Sequence, residues 1–228
     1  MSDWNLKDLE KWDEAICNLG KSHGLDWYPI TYETCDYYEM IGNMSYHGMP
    51  THYGHWSYGK SFEIQHSQYQ HGVTGLPYEL IINSDPCISY LMRENPLYLQ
   101  ILIMAHCVGH SDFFKNNRMF SYTRADTVVP RMRNAKKRIQ KYVEDPWIGI
   151  EKVEGVIDAC QALSYQVPRH PKDVVSLKEE YKADQVANKK KDLDKPPYKE
   201  YDILGFILDF ATDMPEWKKD IISIVPDE

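Results

Sequence analysis

Apolar residues recur every three or four positions along most of the chain, a spacing that places them on one face of an α-helix. The first such segment predicts a helix over residues 3–23, with Asp3 as its N-cap and a stop at Gly20 or Gly24. Later segments repeat the pattern. They predict helices over residues 31–46, 97–114, 131–144, 147–165, 202–211 and 215–225.

The middle of the chain has a different pattern. Between residues 47 and 71 the helical period fades and five of the nine histidines accumulate, which predicts loops and short strands. The stretch YELIINS at residues 78–84 is short, apolar and rich in isoleucine, as expected of a β-strand. The dipeptide Asp85–Pro86 then predicts the start of a helix, and Pro96 is expected to end it. The predicted fold is α+β, predominantly α-helical, with a small β-sheet built around residues 51–84.

The character of the chain changes after the first 165 residues. Residues 166–200 contain few large apolar side chains and dense mixed charge, which predicts a linker or an excursion. The helices within residues 201–228 are too few to form a core alone, so we expect them to pack back on residues 1–165. Because no polar linker separates two self-sufficient apolar sets, we predict a single domain over residues 1–228.

Charge and composition narrow the classes of function. The formal net charge of −8 argues against nucleic-acid binding, and the basic stretch at residues 131–141 is typical of a solvated helix face. The five cysteines are scattered without a CxxC pair, which is typical of reduced intracellular thiols. No apolar run reaches the length of a membrane span, and the N-terminus lacks the apolar core of a signal peptide. We expect a soluble, cytoplasmic protein.

Two histidines lie four residues apart in the apolar segment IMAHCVGHSDFFKNN. On a helix, His106 and His110 project from one face, a geometry that binds a metal ion. In the zinc-protease motif HExxH the residue after the first histidine is the general base, whereas here it is Cys107. Helical spacing turns Cys107 about 100° away from His106, so a buried structural thiol is expected. The alternative for the histidines is a hydrogen-bonded pair without metal.

Carboxylates and a cationic loop offer further chemistry. Glu79 lies on the predicted strand, where a carboxylate is costly unless it is paired with a cation or bound to a metal. Its partner is either a metal or a basic side chain such as Lys60. His55 and Lys60 are candidates for an acid, a ligand or an oxyanion contact, and Asp112 for a hydrogen bond that supports a histidine ligand. The GK at residues 59–60 lacks the upstream glycine of a phosphate-binding loop.

Three long motifs resemble the SpoVR family, the stage V sporulation protein R group. They are MPTHYGHWSYGKSFE, GLPYELIINSDPCISYLMREN and AHCVGHSDFFKNN. The later blocks VEGVIDACQAL and DILGFILDFATDMPEWKKDIISIV are similar to the same family, so the resemblance covers nearly the whole chain.

The resemblance implies a cytoplasmic protein of bacteria or archaea with a role in the spore cortex, in the envelope or in stress physiology. It implies a serine protein kinase and a von Willebrand-type protein as partners. Members of the family continue into a second half with a block like NEGWAxYxH, whereas this chain ends at Glu228. The resemblance therefore implies that this chain corresponds to the N-terminal half of the usual family length.

Two functions follow as hypotheses. In the first, His106 and His110 bind Zn²⁺ or another divalent metal, and the third ligand is Glu79 or a carboxylate of the absent half. The chain is then a zincin-like hydrolase of amide bonds, with Glu79, His55 and Lys60 as its catalytic candidates. In the second, the chain is a non-catalytic interaction domain. A di-metal bundle is excluded because the paired ExxH motifs are missing.

Overall fold

A computed structural model of the chain describes residues 4–120, 123–167 and 202–225. Helices dominate these residues, and a small sheet accompanies them, so the predicted α+β class is confirmed. None of the helices in the described part is both long and apolar enough to cross a membrane. The elements in chain order are α1 (Leu6–Ser22), β1 (Ile30–Cys35), α2 (Tyr37–Ser45), α3 (Trp56–Gln70), β2 (Glu79–Ile82), β3 (Cys87–Met92), α4 (Leu97–Asn116), α5 (Val128–Glu144), α6 (Ile150–Ala162), α7 (Ile203–Phe210) and α8 (Glu216–Ile224).

The first helix begins later than the apolar pattern predicted. Asn5, and not Asp3, is its N-cap, because the Asn5 side chain accepts hydrogen bonds from the backbone N–H groups of Lys7 and Asp8. The Asp8 carboxylate in turn accepts from the Asn5 N–H and completes a capping box.

The sheet has the strand order β1-β3-β2, with β3 parallel to β1 and antiparallel to β2. Strand β2 confirms the strand predicted at residues 78–84, but the prediction of a sheet built around residues 51–84 was wrong. The other two strands of the sheet, β1 and β3, lie in segments that were predicted to be helices. Strand β3 is largely buried and therefore lacks the alternation that marks a half-exposed strand.

Helix α3 replaces the loops and short strands predicted between residues 47 and 71. Its N-cap is His55, and only Tyr58 on the whole helix is buried. A helix that is exposed on most sides needs no apolar stripe, and this explains why the periodicity of its residues gave no helical signal.

The sheet lies between two layers of helices. On one side, Leu91 of β3 packs with residues of α1 and α4, among them Leu9, Ile103 and Met104. On the other side, Tyr90 packs against α2 through Met40. Side chains of one strand thus face both layers, and α4 is held with one side against the sheet.

The chain divides into two compact units, residues 1–136 and 137–228. In the second unit, α7 and α8 share an apolar core with α6 that is centred on Cys160, Leu204 and Ile222. A compact unit need not be an independent domain, so the single domain and the packing of the last helices on residues 1–165 stay predictions. The charged segment predicted at residues 166–200 lies almost wholly outside the described residues.

Candidate metal centre

Strand β2 and helix α4 bring Glu79, His106 and His110 together. The Nε2 atoms of the two histidines are 2.8 Å apart, and their rings meet nearly at right angles. The Oε1 atom of Glu79 is 3.7 Å from Nε2 of His106. One ligand atom from each of the three residues lies within 4.8 Å of the other two. Among the described residues this is the one group of three or more His, Cys, Asp and Glu side chains with such geometry.

Buried polar contacts set the rotation of α4 and therefore the direction of both histidines. Gln100 is fully buried, and its Nε2 donates a hydrogen bond to the carbonyl of Met92 over 2.8 Å. One end of the helix is tied to β3 in this way. Nearer the other end, the buried Ser111 hydroxyl donates to the carbonyl of Tyr28 over 2.9 Å. These two anchors lie on the buried side of α4, and the histidines lie on its flank beside Glu79 of β2.

Glu79 is placed by the start of β2. It is the first residue of the strand and lies opposite Leu91 in the antiparallel register. The preceding carbonyl, that of Tyr78, accepts hydrogen bonds from the Met92 N–H and from Nδ2 of Asn95. With its backbone held on β3, the strand presents the Glu79 carboxylate to α4.

The group lies at the boundary between interior and solvent. The Glu79 side chain is 19% exposed and that of His106 is 58% exposed. Partial burial, and then the neighbouring His106, lower the pKa of His110, although Glu79 acts in the opposite direction. The lowered pKa favours a neutral His110 ring at pH 7, and a neutral imidazole is the form that binds a metal.

Cys107 has the buried position that the helical spacing predicted. Its thiol is fully buried, and Sγ lies 3.2 Å from Oγ of Ser89 on the sheet. Burial raises the pKa of this thiol to about 11, so it stays protonated at neutral pH. Cys107 is therefore a poor substitute for the general base that a glutamate supplies in HExxH.

The structure does not bring the other catalytic candidates into this group. His55 caps α3, where its Nδ1 is 2.7 Å from Oγ of Ser57. The Lys60 ammonium lies 5.7 Å from the ring centre of Trp56. The recorded partner of the Glu79 carboxylate is the His106 ring, and not Lys60.

Asp112 was expected to support a histidine, but its recorded contacts are with another part of the fold. Its carboxylate accepts hydrogen bonds from the backbone N–H of Asp26 and from Nδ2 of Asn116. The first bond fastens the last turn of α4 to the loop between α1 and β1, and the second lies within α4. The role of Asp112 in the structure is to hold this loop.

A buried histidine in the His-rich segment escaped the sequence analysis. Nε2 of His52 lies 2.9 Å from the hydroxyl of Tyr58, and its ring packs against those of Tyr46 and Tyr53. Burial lowers the pKa of His52 to about 4. The density of tyrosines around residues 46–58 is the signal that indicates an aromatic cluster rather than a loop.

Comparisons with known proteins support the family resemblance that the motifs showed. The model of the family described as "SpoVR like protein" matches residues 3–194. A curated relative, "Uncharacterized protein YcgB" of Escherichia coli (strain K12), is 42% identical over 182 residues, which cover 78% of this chain and 35% of the relative. The chain thus spans about a third of the length of that relative. No solved structure matches. The resemblance found in the motifs is confirmed, and the chain belongs to the SpoVR-like family.

Proposed function

We propose that Glu79, His106 and His110 bind a Zn²⁺ ion and that the chain contributes this centre to the hydrolysis of an amide bond. The observation that carries the proposal is the convergence of three ligand atoms within 4.8 Å from two separate elements. Two histidines and one carboxylate form a ligand set of catalytic zinc sites, which keep a fourth position open for water or substrate.

Two of the three separations between the ligand atoms are close to those expected around such an ion. Bond lengths of about 2.0–2.1 Å place two ligands of a tetrahedral zinc about 3.3 Å apart. The histidine nitrogens are 2.8 Å apart, and Glu79 Oε1 is 3.7 Å from His106 Nε2. Shifts of about half an ångström, within the reach of side-chain rotation, would bring both separations to that value. A shared N–H···N hydrogen bond joins the two rings.

The chemistry expected from this centre follows from its ligands. A bound zinc ion lowers the pKa of a water molecule towards about 7 and polarises a substrate carbonyl. With zinc bound, the exposed His106 would leave the metal accessible, and the half-buried Glu79 would neutralise part of its charge. His55 and Lys60 do not enter this proposal because their recorded contacts are with α3.

Measurement of bound zinc tests the proposal. We expect about one zinc per chain, and an affinity on the order of 100-fold lower or worse in His106→Ala, since a direct ligand is lost. His71→Ala is the matched control, because His71 is an exposed histidine at the end of α3. Retention of stoichiometric zinc by both His106→Ala and His110→Ala would refute the metal site.

A second function, that of a non-catalytic interaction domain, is favoured by one observation. The exposed side of α4 carries no charged side chain between Tyr98 and Phe113. The family resemblance supports a cytoplasmic role in envelope assembly, sporulation or stress, with a serine protein kinase and a von Willebrand-type protein as partners. Co-purification of either partner equally well with wild type, His106→Ala and His110→Ala would favour this function over hydrolysis.

A further inference from the structure

Between Tyr98 and Phe113 the exposed side of α4 is mostly apolar. Six residues form this stretch, and its polar groups are the His106 ring and the Tyr98 hydroxyl. Tyr98, Leu102 and Phe113 have exposed fractions of 74%, 66% and 52%. At a rise of 1.5 Å per residue, the surface extends about 22 Å. We call it the α4 face; it consists of Tyr98, Leu102, Ala105, His106, Gly109 and Phe113.

This face differs from an ordinary solvated helix surface. Helix α5 exposes Arg133, Lys137 and Lys141, as expected of a side that faces water. The two charged residues of α4, Asp112 and Lys115, both contact the loop at Asp26 and lie outside the face. An apolar surface of this extent on a soluble chain indicates an interaction site.

The order of large and small residues makes the face complementary to itself. Leu102 and Gly109 are equally far in sequence from the point between Ala105 and His106, and so are Tyr98 and Phe113. In an antiparallel pair of α4 helices, Leu102 would therefore lie opposite the partner's Gly109, and Tyr98 opposite the partner's Phe113. A Cβ atom added at Gly109 would meet nothing within 4 Å, so this position offers an open hole for a leucine.

We propose that two copies of this chain pair through their α4 faces, antiparallel about a two-fold axis between Ala105 and His106. Each contact then occurs twice, as an isologous interface requires. The absence of charge on the face removes like-charge repulsion at the contact itself. The pair covers the exposed side of His106, so dimer formation restricts access to the metal centre. The pairing itself does not depend on the metal.

The remaining charge of the molecule predicts an unusual salt dependence. Two chains of net charge −8 repel each other at a distance, and added salt screens this repulsion. Apolar association through the α4 face should therefore become tighter as ionic strength rises. An interface held by ion pairs would become weaker instead.

Sedimentation equilibrium of the full chain in EDTA, over micromolar to submillimolar concentrations, tests the pairing. Wild type should form dimers, and Leu102→Glu should raise the dissociation constant at least 10-fold. Leu19→Glu is the matched control: Leu19 is an exposed leucine of α1, 61% exposed, and should leave the constant unchanged. A wild-type chain that stays monomeric throughout, or equal constants for Leu102→Glu and wild type, would overturn the proposal.

Gly109→Leu gives a second test that separates association from folding. A leucine in place of a helical glycine should stabilise the monomer, because glycine is a poor helix former and the site has open space. The same side chain fills the hole for the partner's Leu102 and should weaken the dimer at least 10-fold. A stabilised Gly109→Leu chain that dimerises as tightly as wild type would contradict the proposed register. Because EDTA is present, neither result depends on zinc binding.

Discussion

At the scale of single residues, the histidines of this chain differ in burial, and burial changes how readily a histidine is protonated. His52 is buried among tyrosines and has a pKa of about 4, whereas the exposed His71 caps the end of α3. The charged groups that affect His52 besides burial are His47, Lys136 and His55, and each also disfavours the protonated ring. Protonation of His52 therefore competes directly with the folded state.

The pKa of His52 predicts a loss of stability in acid. The folded state holds this pKa at about 4, below its value of 6.5 in the unfolded chain, so the unfolded state binds more protons between these values. Stability is fully present above pH 6.5 and falls as the pH decreases towards 4. One pKa unit corresponds to 1.36 kcal/mol, which gives a loss of about 2 kcal/mol between pH 6.5 and 5.

Urea denaturation at pH 7 and pH 5 measures this loss. His52→Gln should lose about 2 kcal/mol less than wild type over this range, even if the variant is weaker at pH 7 because it lacks the contact with Tyr58. His71→Gln is the control and should behave as wild type. The same acid sensitivity in His52→Gln and wild type would contradict the role given to His52.

At the scale of elements, local caps set where helices begin. Helix α1 starts at a capping box in which Asn5 and Asp8 satisfy each other's backbone N–H groups. Helix α2 starts in the same way at Asp36 with Glu39. The helix predicted over residues 31–46 is confirmed only in its second part, because the cap at Asp36 starts α2 and separates it from β1.

The cap of α1 makes a prediction at this scale. Asn5→Ala should lower the free energy of unfolding by about 1 kcal/mol, because the N–H groups of Lys7 and Asp8 lose their acceptor. Asn5→Ser keeps a capping oxygen and should recover most of the loss. Thermal and urea unfolding of the three chains measure the difference, and equal stability of Asn5→Ala and wild type would refute the cap.

At the scale of the whole molecule, a bound metal would couple the sheet to α4. Glu79 belongs to β2 and the two histidines to α4, so zinc would join elements that meet only in the folded chain. A ligand that binds only the native state stabilises it by an amount that grows with its concentration.

Zinc should therefore raise the thermal stability of the chain. At 100 times its dissociation constant, the expected gain is about 2.7 kcal/mol, and excess EDTA should reverse it. Glu79→Gln should reduce the shift strongly, since a neutral amide is a weaker ligand than a carboxylate. Differential scanning calorimetry with and without zinc measures the effect. An identical shift in Glu79→Gln and wild type would exclude Glu79 as a ligand.

Local patterns predicted much of this molecule. The helices predicted over residues 97–114, 147–165 and 215–225 correspond to α4, α6 and α8, because apolar content and spacing within one segment are enough to indicate a helix. Strands β1 and β3 were not predicted, because their formation depends on a contact between distant segments. Their pairing joins residues more than fifty positions apart, and no local period reports such a contact.

The sequence by itself determined the helical class, the family, and the placement of His106 and His110 on one face, since these depend on spacing within a segment. Only the tertiary structure decided that Glu79 meets this pair while His55 and Lys60 lie on α3. The approach of Glu79 depends on β2 pairing with β3 and on α4 packing over the sheet. Both are long-range contacts, which are set by the packing of the whole core and not by neighbouring residues.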